Sequence, residues 1–132
     1  YWVPVSKMNF PGVADMLAKY QAKAIEANTD QLGYYMAPLA YAQMQVLEQA
    51  IIATGGLDNT VLSSYCRQNT FKTVIGNIRF GEGGEWNEPR VVQVQFQNIE
   101  NNEIDTFRDS RVQVVVEPPA YASGSLIYPY SP

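Results

Sequence analysis

Apolar positions near the start of the chain recur with a helical period. Val13, Met16, Leu17, Tyr20 and Ala24 fall at i, i+3, i+4, i+7 and i+11, which lines one face of a helix. They predict a helix over 13–27, ended by Asn28 and Thr29. The stretch Leu32-Gly33-Tyr34-Tyr35-Met36-Ala37 is apolar, aromatic and too short for a helix. It reads as a short strand or extended loop that feeds a second helix, with Pro38 in the first turn, where a proline is tolerated. From Pro38 to Thr54 the set Ala40, Met44, Leu47 and Ile51, with Tyr41, Ala50 and Thr54, predicts a broad buried face, stopped by Gly55-Gly56. Asp58 is a strong N-cap for a third helix to about Gln68, and Leu57 is placed to pack on Leu62 as a hydrophobic staple.

After Asn69 the period changes from 3.6 to two. The spacing predicts a strand over 74–80, a turn at Gly81-Glu82-Gly83-Gly84, and a second strand over 90–97. In that strand Val92, Val94 and Phe96 alternate with Gln93, Gln95 and Gln97, the mark of a strand with one wet face. Residues 98–110 are polar, anchored by Ile99, Ile104 and Phe107, and read as a connection with room for one helical turn. Arg111 to Val116 alternates again, with Val112, Val114 and Val116 on one face, and Pro118-Pro119 closes it. The expected fold class is therefore α/β: about three helices and a partly antiparallel sheet of three or more strands, in a single unit over 1–132. Its 117–132 stretch is an extended tail rich in Pro and Tyr. Tyr121, Leu126, Ile127, Tyr128 and Tyr130 make that tail too apolar to hang free. It is expected to lie along a surface that belongs to another part of the protein, or, left bare, to pair chains into a dimer. The opening Tyr1-Trp2-Val3-Pro4-Val5, without a methionine, adds the expectation of a piece of a longer protein.

Composition narrows the chemistry. There is no histidine, so the chain cannot supply a Ser-His-Asp triad, a Cys-His pair, a His-ligated metal or a histidine acid/base. The only cysteine is Cys66, which excludes an internal disulfide, a redox pair and a cysteine metal cluster; it reads as a small packing residue. A net charge of −4 with a pI near 4.7 repels phosphate backbones, so nucleic acid is not an expected partner. No apolar run reaches the roughly 18 residues of a membrane helix, and no basic-then-apolar leader is present in these residues, so the chain reads as soluble.

The remaining motifs are weak. Gly81-Glu82-Gly83-Gly84 lacks the spacing and the lysine of a phosphate loop and sits between strands, so it reads as a hairpin turn. Glu82, Glu85 and Glu88 match no calcium-loop spacing. Glu100, Glu103, Asp105 and Asp109 have Arg108 and Arg111 beside them to pair with. With no activated nucleophile and no cofactor motif, an enzyme is not expected. Tyr34, Tyr35 and Met36 are different in kind, because they lie just before a helix N-terminus, where loop side chains line clefts and bare N–H groups favour polar or anionic ligands. Core packing is the competing reading for each of the three.

The middle of the chain carries Leu39-Ala40-Tyr41-Ala42-Gln43-Met44-Gln45-Val46-Leu47-Glu48-Gln49-Ala50, then Thr54-Gly55-Gly56-Leu57-Asp58, then Phe71-Lys72-Thr73-Val74-Ile75-Gly76-Asn77-Ile78-Arg79-Phe80 with Gly84-Glu85-Trp86. This combination, from the Tyr20 helix to Val94-Gln95-Phe96, closely resembles the C-terminal part of substrate-binding proteins of branched-chain amino-acid-type ABC transporters, the Leu/Ile/Val-binding family with the type I periplasmic binding fold. The resemblance implies two Rossmann-like lobes joined by crossing strands, with a small solute closed between them and handed to membrane permease subunits. It implies a periplasmic, extracytoplasmic location and a solute that is an amino acid or a related amide or small carboxylate. The groups that hold the charged ends of an amino acid belong, in that family, to an N-terminal lobe missing from these residues. The position matching Met36 contributes to the side-chain pocket, with Tyr34, Tyr35 and Pro38 around it. The tail after Val112 departs from the family by being longer and richer in tyrosine. A ligand-sensing regulatory domain of the same fold is the alternative, which a DNA-binding motif or a membrane span elsewhere in the protein would favour.

Overall fold

The computed structural model describes residues 2–88 and 90–130. Three helices form where the periodicity places them: α1 (Val13–Ala27), α2 (Ala37–Thr54) and α3 (Asn59–Gln68). Helix α1 buries Val13, Met16, Leu17 and Ala24 and half-buries Tyr20, the five positions of the apolar stripe. It ends at Asn28, whose left-handed backbone (φ 51°) returns its N–H to Ala24 and Ile25. Gly55 (φ 71°) ends α2 in the same way, with its N–H on the Ile51 carbonyl. Asp58 caps α3, its Oδ1 accepting from the N–H groups of Thr60 and Val61 at 2.9 and 3.0 Å. The expected staple is absent: Leu57 is 74% exposed while Leu62 is buried.

Two expectations about α2 and the strands are corrected. Helix α2 buries Pro38, Ala42, Val46 and Ala50, whereas Met44 and Tyr41 are 63% and 49% exposed and Ala40 and Leu47 also face solvent. The helix is apolar on opposite sides, so periodicity alone does not choose the inner one. The second correction concerns 74–80, which is one arm of a hairpin. Strands β1 (Thr70–Thr73) and β2 (Gly76–Arg79) pair antiparallel, with Phe71 opposite Ile78 and Thr73 opposite Gly76. The chain reverses at Val74 and Ile75. Thr73 Oγ1 donates to the Gly76 carbonyl at 2.7 Å and accepts from the Ile75 N–H, closing the turn from within.

The expected single sheet is also corrected. Among the described residues, β3 (Gln93–Phe96) pairs antiparallel with β4 (Gln113–Glu117) and not with β2, so there are two separate two-stranded sheets. The turn at Gly81 forms as expected, Gly81 donating to the Glu85 carbonyl, but it closes only an isolated bridge between Phe80 and Trp86. A short helix α4 (Ile104–Arg108) fills the polar connection before β4. Over the expected strand 90–97 the wet face is not the glutamine face throughout: Gln97, just past the end of β3, is buried and Phe96 is 41% exposed. Val112, Gln113, Val114 and Val115 are all buried, so β4 is covered on both sides.

One apolar cluster joins the N-terminal segment (Trp2, Val3, Val5, Met8) to α1, α2, the hairpin and Val115 of β4. Phe71 sits within it, edge-on to Tyr65 and Phe80 at 6.1 and 6.4 Å between ring centres. No described helix is long and apolar enough to cross a membrane.

Two-stranded sheets leave edge peptide groups without a neighbour strand, and side-chain amides take that place. Gln45 Oε1 accepts from the Val74 N–H at 2.8 Å. One turn on, Gln49 donates to the Lys72 carbonyl and accepts from its N–H. Along the tail, Gln95 exchanges the same pair of bonds with Ile127, and Gln97 donates to Ser125 O. Urea unfolding of Gln45→Leu is expected to show a loss of about 1–3 kcal/mol, because the Val74 N–H is left buried without an acceptor. Gln49→Leu frees the solvent-exposed Lys72 groups and the part-buried Gln45 carbonyl, which as a helix carbonyl still has its backbone donor, and is expected to cost less, about 1 kcal/mol. Equal losses for the two variants, or none for Gln45→Leu, would contradict this account.

Candidate functional site

The four residues expected at a ligand site divide into two pairs. Tyr34 is buried and Pro38 fully so, while Tyr35 and Met36 are 64% and 56% exposed. Tyr34 packs edge-on against Trp2 with 4.9 Å between ring centres, and its carbonyl accepts from the Trp2 N–H at 2.8 Å. The segment before α2 is therefore clamped on one side and open on the other, and the four side chains do not converge on one cavity.

On the open side, Ala40, Tyr41 and Met44 of α2 face Met16, Tyr20 and Lys23 of α1 across a shallow groove of about 450 Å³. On the clamped side, Pro38 and Leu39 wall a cavity of about 50 Å³ with Trp2, Met8 and Ile75, and Trp86 and Arg90 complete it. This is where the polar chemistry gathers. The Arg90 guanidinium lies among three aromatic rings, 4.6 Å from the centre of Phe10, 5.1 Å from Trp86 and 5.4 Å from Tyr121. Such positions attract a cation to the ring faces. Its Nε donates to the Tyr121 hydroxyl at 2.8 Å and its Nη1 to the Ile75 carbonyl. The Trp86 indole N–H is buried and has no hydrogen-bond partner among the described residues.

Each part of this site is positioned for a local reason. The tight turn at Gly81 brings Trp86 back beside Phe80, and Arg67 Nη1 holds that turn through the Glu82 carbonyl. Tyr121 is set by the turn after β4, where its N–H donates to Pro118 O. Gly76 carries φ 98°, and a side chain there would put Cβ 2.8 Å from Arg90 Nη2 and 3.1 Å from Phe10. Arg90 escaped the sequence reading because, Trp86 apart, its partners Phe10, Ile75 and Tyr121 are distant along the chain. No local motif announces such a site.

The other titratable groups have plainer roles. A larger surface pocket of about 550 Å³ lies between α4 and the start of β4, but its charged groups answer one another. Arg108 pairs with Asp105 and Arg111 with Asp109, both at 2.6 Å. The Arg111 side chain and N–H bonded to Asp109 pull its carboxyl down to about 2. Burial pushes the Cys66 thiol up, which reduces its thiolate fraction. Among the described residues no group of three or more His, Cys, Asp or Glu is placed to hold a metal ion.

Gly76→Ala is expected to lower stability by about 1–3 kcal/mol, since alanine must take a positive φ and displace a guanidinium held by three rings. Gly56→Ala, with no positive φ and open space around its Cβ, is the control and is expected to be neutral or slightly stabilising. A neutral Gly76→Ala in thermal unfolding would contradict the packing around Arg90. Compared with known proteins, the chain matches no protein-family model, no curated sequence and no solved structure.

Proposed function

We propose that the chain is the C-terminal portion of an extracytoplasmic solute receptor, a two-lobed binding protein that carries an amino acid or a related small amide or carboxylate to the permease of an ABC importer. In this reading the chain performs no bond chemistry; it shapes a pocket and closes on a second lobe. The observation that carries it is α2. Its inner face, Pro38, Ala42, Val46 and Ala50, is committed to the core, while Tyr41, Met44 and Leu47 on other sides of the same helix stand in solvent, as do Tyr35 and Met36 before it. A helix with apolar residues well beyond its core face has surface left to cover, and a lobe of a closing receptor supplies that cover. The motif residues that carry the sequence resemblance also sit at structural junctions, Asp58 as a cap and Thr73 and Gly76 in the hairpin turn.

The reading makes two measurable claims. By calorimetry the 132-residue chain alone is expected to bind leucine, isoleucine or valine no more tightly than millimolar, because an open half-site buries too little of a ligand. The two-lobed protein is expected to bind one amino acid or small carboxylate at micromolar strength. Micromolar binding by the chain alone, or no solute bound by the two-lobed protein, would contradict the proposal. In the two-lobed protein, Met36→Ala is expected to weaken that solute by roughly 1–3 kcal/mol, the scale of one buried apolar side chain. Stability should change little, as Met36 faces solvent here; unchanged affinity would remove Met36 from the pocket.

A further inference from the structure

The 50 Å³ cavity beside Pro38 holds a combination of groups that the receptor reading does not use. Arg90 is a half-buried cation without a carboxylate: the ion pairs among the described residues are Lys19–Asp15, Arg108–Asp105 and Arg111–Asp109. Among the described residues both of its hydrogen bonds go to neutral oxygens, and a guanidinium has five N–H donors, so donors remain. Ring faces offset part of the cost of moving a cation out of water. A counter-charge offsets more.

Trp86 supplies the second observation, because its indole N–H is buried with no acceptor among the described residues, a state that polar groups in folded proteins rarely keep. Both residues wall the same cavity. The third lining donor, Trp2 Nε1–H, is already taken by the Met8 carbonyl at 2.8 Å. Among the described residues no carboxylate, amide or hydroxyl side chain lines the space, so the polar N–H groups of its side chains are all donors. Its volume of about 50 Å³ compares with the ~10–15 Å³ that one water needs, which leaves room for three or four heavy atoms. A carboxylate group has three, and it only accepts hydrogen bonds.

We propose that this cavity is a binding site for a small carboxylate, of the size of formate or acetate or the slim end of a longer acid, with one oxygen accepting from Arg90 and the other from Trp86 Nε1–H. Branched amino acids are too large to enter it. The site stands on the geometry of this chain alone and does not depend on the transport reading.

The test is a titration of the ¹⁵N-labelled 132-residue chain with sodium formate replacing sodium chloride at constant ionic strength. Its two tryptophans give two indole N–H resonances, and Trp86→Phe identifies which belongs to Trp86. Formate is expected to move the Trp86 resonance saturably and by more than that of Trp2. Arg90→Lys is expected to weaken the midpoint about tenfold, the scale of one lost charge-assisted hydrogen bond. No saturable shift with formate overturns the site; an equal response to chloride overturns the assignment to carboxylates, and an unchanged midpoint in Arg90→Lys overturns the role of the guanidinium. Should Arg90→Lys lose its dispersed spectrum, the wild-type titration, with Trp2 as internal reference, decides the matter.

Discussion

The structure turns on one half-buried guanidinium. Arg90 reaches the N-terminal segment through Phe10, the hairpin turn through the Ile75 carbonyl, the Gly81 turn through Trp86, and the tail through Tyr121. A planar, delocalised and weakly hydrated cation suits this position, since it stacks on rings and donates in its own plane at once; an ammonium does neither as well. The arrangement also explains Gly76, where any Cβ would enter the space that the guanidinium and Phe10 occupy. The same contacts place the bare indole N–H of Trp86 and a donor-lined cavity at the N-terminal end of α2.

Around that point the fold is assembled from small pieces. Two ribbons of two strands cannot saturate their own edges, and the chain meets the deficit with glutamine. Gln45 and Gln49, one turn apart on α2, present their amides to successive peptide groups of the hairpin. Gln95 of β3 and Gln97 just beyond its end do the same to the tail. The spacing follows the geometry: i and i+4 share a helix face, and i and i+2 share a strand face. The tail is thereby fastened by its backbone, while Leu126, Ile127 and Tyr128 remain exposed by 63%, 44% and 88%. Bare apolar faces on α2 and on the tail are what a receptor lobe presents before its partner lobe is added, and the proposed function takes its support from them.

What was legible in the sequence follows the same physics. Helix α1 was readable to its last residue because Asp15, Lys19, Gln21, Lys23 and Glu26 mark its outer side and Ile25 is the one large apolar residue off the stripe. The face of α2 was not, because apolar residues stand on opposite sides of it and the choice was made by Gln45 and Gln49 reaching for the hairpin. The reversal at Val74-Ile75 hid inside an apolar run; its signal was Thr73 and Gly76, a hydroxyl and a glycine flanking two residues. Over 90–97 the glutamines looked like a wet face, yet Gln97 is buried, its amide bonded to Gln95 and to the tail. Of the expected site, Pro38 does wall a cavity and Tyr34 braces Trp2 beside it, whereas Arg90 and Trp86 became visible only once distant segments were brought together.

Amide hydrogen exchange of Arg90→Met tests the central claim most directly, because methionine keeps the apolar stem and removes the charge and its hydrogen bonds. If the guanidinium is the tie between segments, protection is lost at Ile75, Tyr121 and Ser123, the amides of the hairpin turn and the tail turn. The interior amides of α1 and α2 keep theirs, since local openings are independent of global unfolding. Unchanged protection at Tyr121 and Ser123, or an equal loss across every helix, would contradict the account.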